Sequence, residues 1–272
     1  MKKQKILTLI IGVIVGALTV FLLGSCSEEE FNPGLTRNFT IQASNGAAYA
    51  IKVALPEDYH SSFEKYSTVY VLDGQENFDF VANHCKEIAN RNSVQHVLVV
   101  SIGYGNDRSI DYTPTKVGSN TGGGAQFLDF IEKELIPRVE QDFRVDTTRS
   151  SRVILGHSYG GLFGACVFAV NNNLFGNYIL LSPSIWFDNE VSLLLEKQKR
   201  DINKDNPQLV FLGIGEAENS GRMQAPFEAF YQTLRDHYTD IKLSKNQEKN
   251  LDHVGSKNPN IIKGLNYYFK NR

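Results

Sequence analysis

The chain of 272 residues predicts an α/β protein: a mostly parallel central sheet with helices on both faces and an antiparallel hairpin at its N-terminal edge. Three observations carry this. Short unbroken runs such as "VYVL", "HVLVV", "RVIL", "YILL" and "QLVFL" read as strands buried on both faces. Segments of helical length and pattern separate them, as parallel strands joined by crossover helices require. Two earlier segments instead alternate apolar and polar residues, the signature of strands with one wet face.

The first two dozen residues do not belong to that globule. "MKKQK" is a basic start, "ILTLIIGVIVGALTVFLLG" is uncharged and apolar, and the run ends in Leu23-Gly24-Ser25-Cys26. A basic start, an apolar run and a small-residue site read as a secretory signal over 1–25. A cysteine directly after that site resembles the bacterial lipobox, which would make Cys26 the lipidated first residue of the mature protein. A retained membrane anchor is the competing reading, since the run is nearly long enough to span a bilayer. The polar stretch 26–37, with "SEEE" behind Cys26, reads as a tether. Display at the cell surface and on the periplasmic face both fit it. Residues 38–272 then form one domain.

Within it, 38–44 and 48–56 alternate in period two and predict the hairpin. Segments 67–74 and 96–103 are buried strands, 152–156, 178–182 and 208–215 continue the series, and 241–246 is a weaker edge strand. Helices are expected near 77–92, 123–143, 159–172, 190–200, 225–238 and 257–270. Net charge is -2, which argues against a nucleic-acid partner, since that calls for a basic face. Cys85 and Cys166 sit in apolar helical stretches, where cysteine is usually a small buried hydrophobe.

The chemistry concentrates at Gly156-His157-Ser158-Tyr159-Gly160-Gly161, where a strand meets a helix. A G-x-S-x-G turn in that setting is a nucleophile elbow, with the serine hydroxyl held out above the sheet. In parallel sheets the site lies beyond the carboxyl ends of the strands, and Ser158 falls there. A serine needs a base to take its proton, usually histidine. Of six histidines, His157 is expected to point away from the elbow. His60, His84 and His96 lie before it in the chain or lead a strand. His237 suits a helix C-terminus. His253, in the loop after the last strand, fits the chain order serine, acid, histidine. The acid is Glu218 or Glu216, with Glu218 favoured because it stands further out in its loop; a dyad without an acid also fits. Oxyanion donors are expected at the Tyr159 and Gln75 N–H groups. Asp73 reads as a loop-shaping residue.

Together "VYVLDGQENF", "DYTPT", "FLDFIEKELIPRVEQDFRVDTTRSSRVILGHSYGGLFG" and "LSPSIWF" resemble the putative-esterase family of α/β-hydrolases. That family includes esterase D-like enzymes, enterobactin-type siderophore esterases and feruloyl esterases. The resemblance covers roughly 38–270. It implies an α/β-hydrolase fold and a serine esterase that works through an acyl-enzyme without metal or organic cofactor. By position Ser158 matches the family nucleophile and His253 the base, and Gly215 to Glu218 fits a "G-x-x-D/E" pattern. Arg108 matches an arginine near the pocket of siderophore esterases, where it would hold an anionic substrate; a salt bridge is its other reading. Trp186 is expected to line the pocket or the core. The family's "GGxH" is replaced here by "NLDH". The expected substrate is a small-molecule ester such as a siderophore lactone, or an acyl or feruloyl ester on a glycan. A non-catalytic lipoprotein that captures a ligand is the competing class.

Overall fold

The computed structural model describes residues 29–272. One sheet contains β1 (Thr36–Gln42), β2 (Ala48–Ala54), β3 (Ser67–Val71), β4 (Val97–Ile102), β5 (Arg152–His157), β6 (Asn177–Leu181), β7 (Gln208–Gly215) and β8 (Ile241–Glu248). Across the sheet they run β1-β2-β4-β3-β5-β6-β7-β8. The β1–β2 and β2–β4 pairs are antiparallel, and all others are parallel. This is the expected sheet with its N-terminal hairpin, which turns through Gly46 at φ 87°. Every residue of β4, β6 and β7 is buried, as unbroken Val/Ile/Leu runs require when helices cover both faces. At the edges, β1 and β8 show partial or alternating exposure.

The helices are α1 (Gly74–Asn92), α2 (Arg108–Tyr112), α3 (Gly124–Phe130), α4 (Ile136–Asp142), α5 (Tyr159–Asn171), α6 (Phe187–Asn203), α7 (Ala225–His237) and α8 (Lys257–Asn271). On one face α1 and α8 bury Phe78, Val81, Ile88, Ile261, Leu265 and Tyr268 against Val69, Val99, Val153 and Phe211. On the other, α3, α5 and α7 bury Phe127, Phe168 and Phe230 against Tyr70, Leu98, Ile154 and Leu212. Each fully buried side chain of this kind contributes roughly 1.5–3 kcal/mol.

Three local departures from expectation have physical causes. The single helix expected at 123–143 is broken by a π-type turn at Ile131–Leu135. Pro137 follows directly in α4, and its missing N–H interrupts the α ladder. The helix expected from 190 follows a left-handed turn, in which Asp188, Asn189 and Glu190 have φ of 45°, 53° and 61°. Thr115 Oγ1 donates to Asp188 Oδ2 at 2.5 Å and ties that turn to the loop after α2. Finally, the stretch expected as a tether joins the globule before residue 38. Phe31 is buried, its ring stands edge-on to Phe78 at 6.2 Å, and its N–H donates to Asp79 Oδ1 at 2.9 Å. Phe31 and Leu35 are apolar residues in an otherwise polar stretch, and both pack on the core.

The signal segment and Cys26 lie outside the described residues. Cys85 and Cys166 are free and buried. Among the described residues, no helix is long and apolar enough to cross a membrane.

Candidate active site

β5 runs into α5 through Ser158, whose φ of 60° and ψ of -117° put a non-glycine residue in a sparsely populated conformation. The turn is pinned on both sides. The Ser158 N–H donates to Leu181 O at 2.9 Å, and its carbonyl accepts from the N–H of Leu162 (2.9 Å) and of Ser184 (3.1 Å). Strain of this kind persists only where the surroundings over-determine it. Gly156 makes the close approach feasible: a Cβ there would stand 2.4 Å from Gly160 O.

Beyond β7, Glu218 turns inward and is buried. Its Oε2 lies 2.8 Å from His253 Nδ1. Its Oε1 accepts from Ser182 Oγ at 2.6 Å and from the Gly215 N–H at 2.8 Å. Burial by itself would raise this carboxyl, but the hydrogen bonds from His253, Ser182 and Gly215 together outweigh it and hold the group below its ordinary value. An ionised carboxylate can only accept, so His253 carries its proton on Nδ1 toward Glu218. Glu216 goes elsewhere: it is exposed, and its Oε2 accepts the Asn250 N–H at 2.9 Å. There it fixes a positive-φ turn, with Asn250 at φ 58°, ahead of the histidine loop.

Ser158, His253 and Glu218 share a cavity of about 490 Å³ with Tyr159, Arg108 and Trp186. Arg108 makes the salt bridge of its second reading and stands at the cavity of its first. It lines the cavity and also grips Asp73, Nε to Oδ1 at 2.5 Å and Nη2 to Oδ2 at 3.0 Å. Its Nη2 also donates to His157 O at 3.0 Å, so it braces the elbow. Asp73 is buried at φ 53°, and its N–H donates to the Tyr112 hydroxyl at 2.9 Å. Trp186 forms a wall beneath the Arg222 guanidinium, which lies 3.7 Å from the ring centroid. Tyr159 and Gln75 occupy the first turns of α5 and α1, where N–H groups lack intrahelical acceptors. Tyr159 lines the cavity, whereas Gln75 is not among the residues that do.

His157 is not among the residues that line the cavity; its Nε2 lies 2.8 Å from His253 O, and the two imidazole centroids are 4.6 Å apart.

Residues 43–256 match the family described as Putative esterase. The chain belongs to the putative esterase family. Among the proteins it is similar to is the siderophore triacetylfusarinine C esterase of Aspergillus fumigatus. It is 31% identical over 171 residues, which are 56% of this chain and 57% of the relative. The ferri-bacillibactin esterase BesA of Bacillus subtilis is 28% identical over 194 residues, covering 62% and 66% respectively. The match thus spans under two thirds of either relative's length. In three dimensions, an IroE-like serine hydrolase from Shewanella oneidensis superposes with a TM-score of 0.78 at 26% identity. That likeness covers 86% of this chain and 80% of the other. The fold is the expected α/β-hydrolase fold.

For this member of the family, sequence reasoning missed Ser182, Arg222 and the partner of His157. Nothing local to Ser182 or Arg222 marks them, because each reaches its partner only once β6, β7 and the segment 182–187 lie side by side. His157 carried a signal in its place beside Ser158, but its partner is 96 residues away.

Proposed function

We propose that this protein is a serine esterase that hydrolyses carboxylic esters through a Ser158-His253-Glu218 triad. The observation that carries the reading is the 2.8 Å bond between His253 Nδ1 and buried Glu218, in the cavity that the strained Ser158 also lines. Ser158 Oγ attacks the ester carbonyl carbon as the far nitrogen of His253 takes its proton. The N–H of Tyr159, which lines the cavity, stabilises the oxyanion. Collapse of the tetrahedral intermediate expels the alcohol, which takes the proton from His253. Water then attacks the acyl-enzyme by the same route and releases the acid, restoring Ser158. No metal or organic cofactor enters these steps.

The names of the relatives support a siderophore ester as substrate. The Arg108 and Trp186 side chains on the cavity wall suit an anionic or aromatic portion. Hydrolysis of a short-chain p-nitrophenyl ester by wild type and by Ser158→Ala tests the reaction; turnover that survives the substitution would end it. A panel of siderophore lactones beside feruloylated and acetylated glycans then tests the substrate. An intact wild type that binds a siderophore without hydrolysing any ester would mark a ligand-capturing protein.

The sequence of residues 1–26 supports anchoring by lipid on Cys26, outside the cytoplasm. Cys26→Ser should release the protein from membranes, and a variant that stays membrane-bound would favour a retained apolar anchor.

A further inference from the structure

His157 sits immediately before Ser158, yet its ring reaches across to the loop that carries His253. Nε2 lies 2.8 Å from the His253 carbonyl oxygen. A carbonyl oxygen only accepts, so His157 is the donor and its tautomer carries hydrogen on Nε2. The rings are 4.6 Å apart and tilted by 41°. His253 is therefore held at two points from two different strands: its ring by Glu218 beyond β7, its backbone by His157 at the end of β5.

We infer that His157 is a positioning residue that sets the placement of His253 relative to Ser158 through the hydrogen bond to the His253 carbonyl. This rests on the proposed hydrolysis. Consecutive Cα atoms are 3.8 Å apart across a trans peptide, so a clamp on residue 157 is in effect a clamp on Ser158. A shift of the elbow carries the base with it, and the gap that the proton must cross is conserved. Misplacement of a catalytic group by about 1 Å costs on the order of 100-fold in rate, which is the scale such a clamp protects.

A donor in this place must stay neutral, because a second cation would oppose protonation of His253 during turnover. The surroundings enforce that. Burial comes first and the His253 charge next; the hydrogen bond to the His253 carbonyl opposes them, Lys257 of α8 and Arg108 of α2 add to the lowering, and the net effect pulls the His157 imidazole down to about 3. Arg108 is paired with Asp73, Lys257 stands 4.0 Å from Glu76, and His253 is paired with Glu218. His157 thus donates at any pH where the site works.

The test compares His157→Phe, which keeps an aromatic ring and removes the donor, with His157→Gln, which keeps an N–H at similar reach. On a p-nitrophenyl ester, His157→Phe should lower kcat roughly 10- to 100-fold with KM little changed. His157→Gln should recover kcat to within about threefold of wild type. Wild-type kcat in His157→Phe overturns the inference, however far its Tm falls, and equal losses in both variants overturn the hydrogen-bond assignment. Ser158→Ala is measured alongside. If it retains turnover, the esterase reading falls and this one with it; if it is dead while His157→Phe turns over at the wild-type rate, only this inference falls. Should His157→Phe fail to fold, ¹⁵N shifts of wild-type His157 decide. The expected state is Nε2 protonated and Nδ1 bare at neutral pH; the opposite tautomer, with Nε2 bare, overturns the inference.

Discussion

Glu218 meets His253 through one carboxylate oxygen, 2.8 Å from Nδ1, while Ser182 and Gly215 hold the other. The carboxylate is fixed before it orients the imidazole. Glu218→Gln should therefore lower kcat about 10²- to 10⁴-fold, the scale seen when the acid of such a unit is neutralised. Glu216→Gln, which touches only the Asn250 turn, should keep kcat within about twofold. Steady-state kinetics on one ester substrate separates them, and a reversed order would move the acid to Glu216.

The same carboxyl predicts an acid limb of stability. Glu218 is held below its ordinary value of 4.5, so the folded state binds this proton less readily than the unfolded chain. Such a group stabilises the fold above its ordinary value, and the contribution fades as pH falls through the lowered one. Urea unfolding of wild type should lose stability more steeply below about pH 4.5 than unfolding of Glu218→Gln. Parallel curves would mean that the carboxyl titrates alike in both states.

The two glycines of G-x-S-x-G differ in tolerance. A Cβ on Gly156 would lie 2.4 Å from Gly160 O, whereas one on Gly160 meets Asp73 Oδ2 at 3.3 Å as its nearest neighbour. Gly156→Ala should cost several kcal/mol, on the order of 3–5, the range of severe core clashes. Gly160→Ala should cost about 1 kcal/mol. Thermal unfolding ranks the pair, and equal Tm values would contradict the close approach at the elbow.

Arg108 is about a third exposed, while its partner Asp73 is nearly fully buried. Removing the cation leaves a buried carboxylate unpaired, so Arg108→Met should cost about 2–3 kcal/mol, below the upper range for fully buried pairs. Adding Asp73→Asn should return part of that loss. Denaturant unfolding of the single and double variants measures the coupling, and additive losses would show that the pair contributes nothing as a pair.

The sheet was legible because β3 to β7 are runs of apolar residues with both faces covered, and β1 and β2 alternate. Ser158 was legible because glycine spacing and the strand-to-helix change coincide in one short stretch. His253 followed from chain order, and Glu218 from its loop. What stayed hidden depends on contacts between distant segments. The left-handed turn at Asp188 to Glu190 has no glycine to announce it and rests on Thr115, 73 residues away. Ser182 and Arg222 show their purpose only beside Glu218 and Trp186. The partner of His157 was hidden because the elbow geometry locates its backbone, while the carbonyl it meets lies in the loop opposite.

Phe31 carries a consequence for how the protein would ride on a membrane. The chain is already fastened to α1 at Glu29, whose carbonyl accepts from Asn83 Nδ2 at 2.6 Å. If lipid is attached at Cys26, three residue steps separate the anchor from Glu29, at most about 11 Å of chain. On the proposed lipid anchor, the point where the globule is fastened would lie no farther than that from the anchored residue. Lengthening the leash between Cys26 and Glu29 changes its standoff without touching the globule, whereas trimming into Phe31 opens a hole beside Phe78.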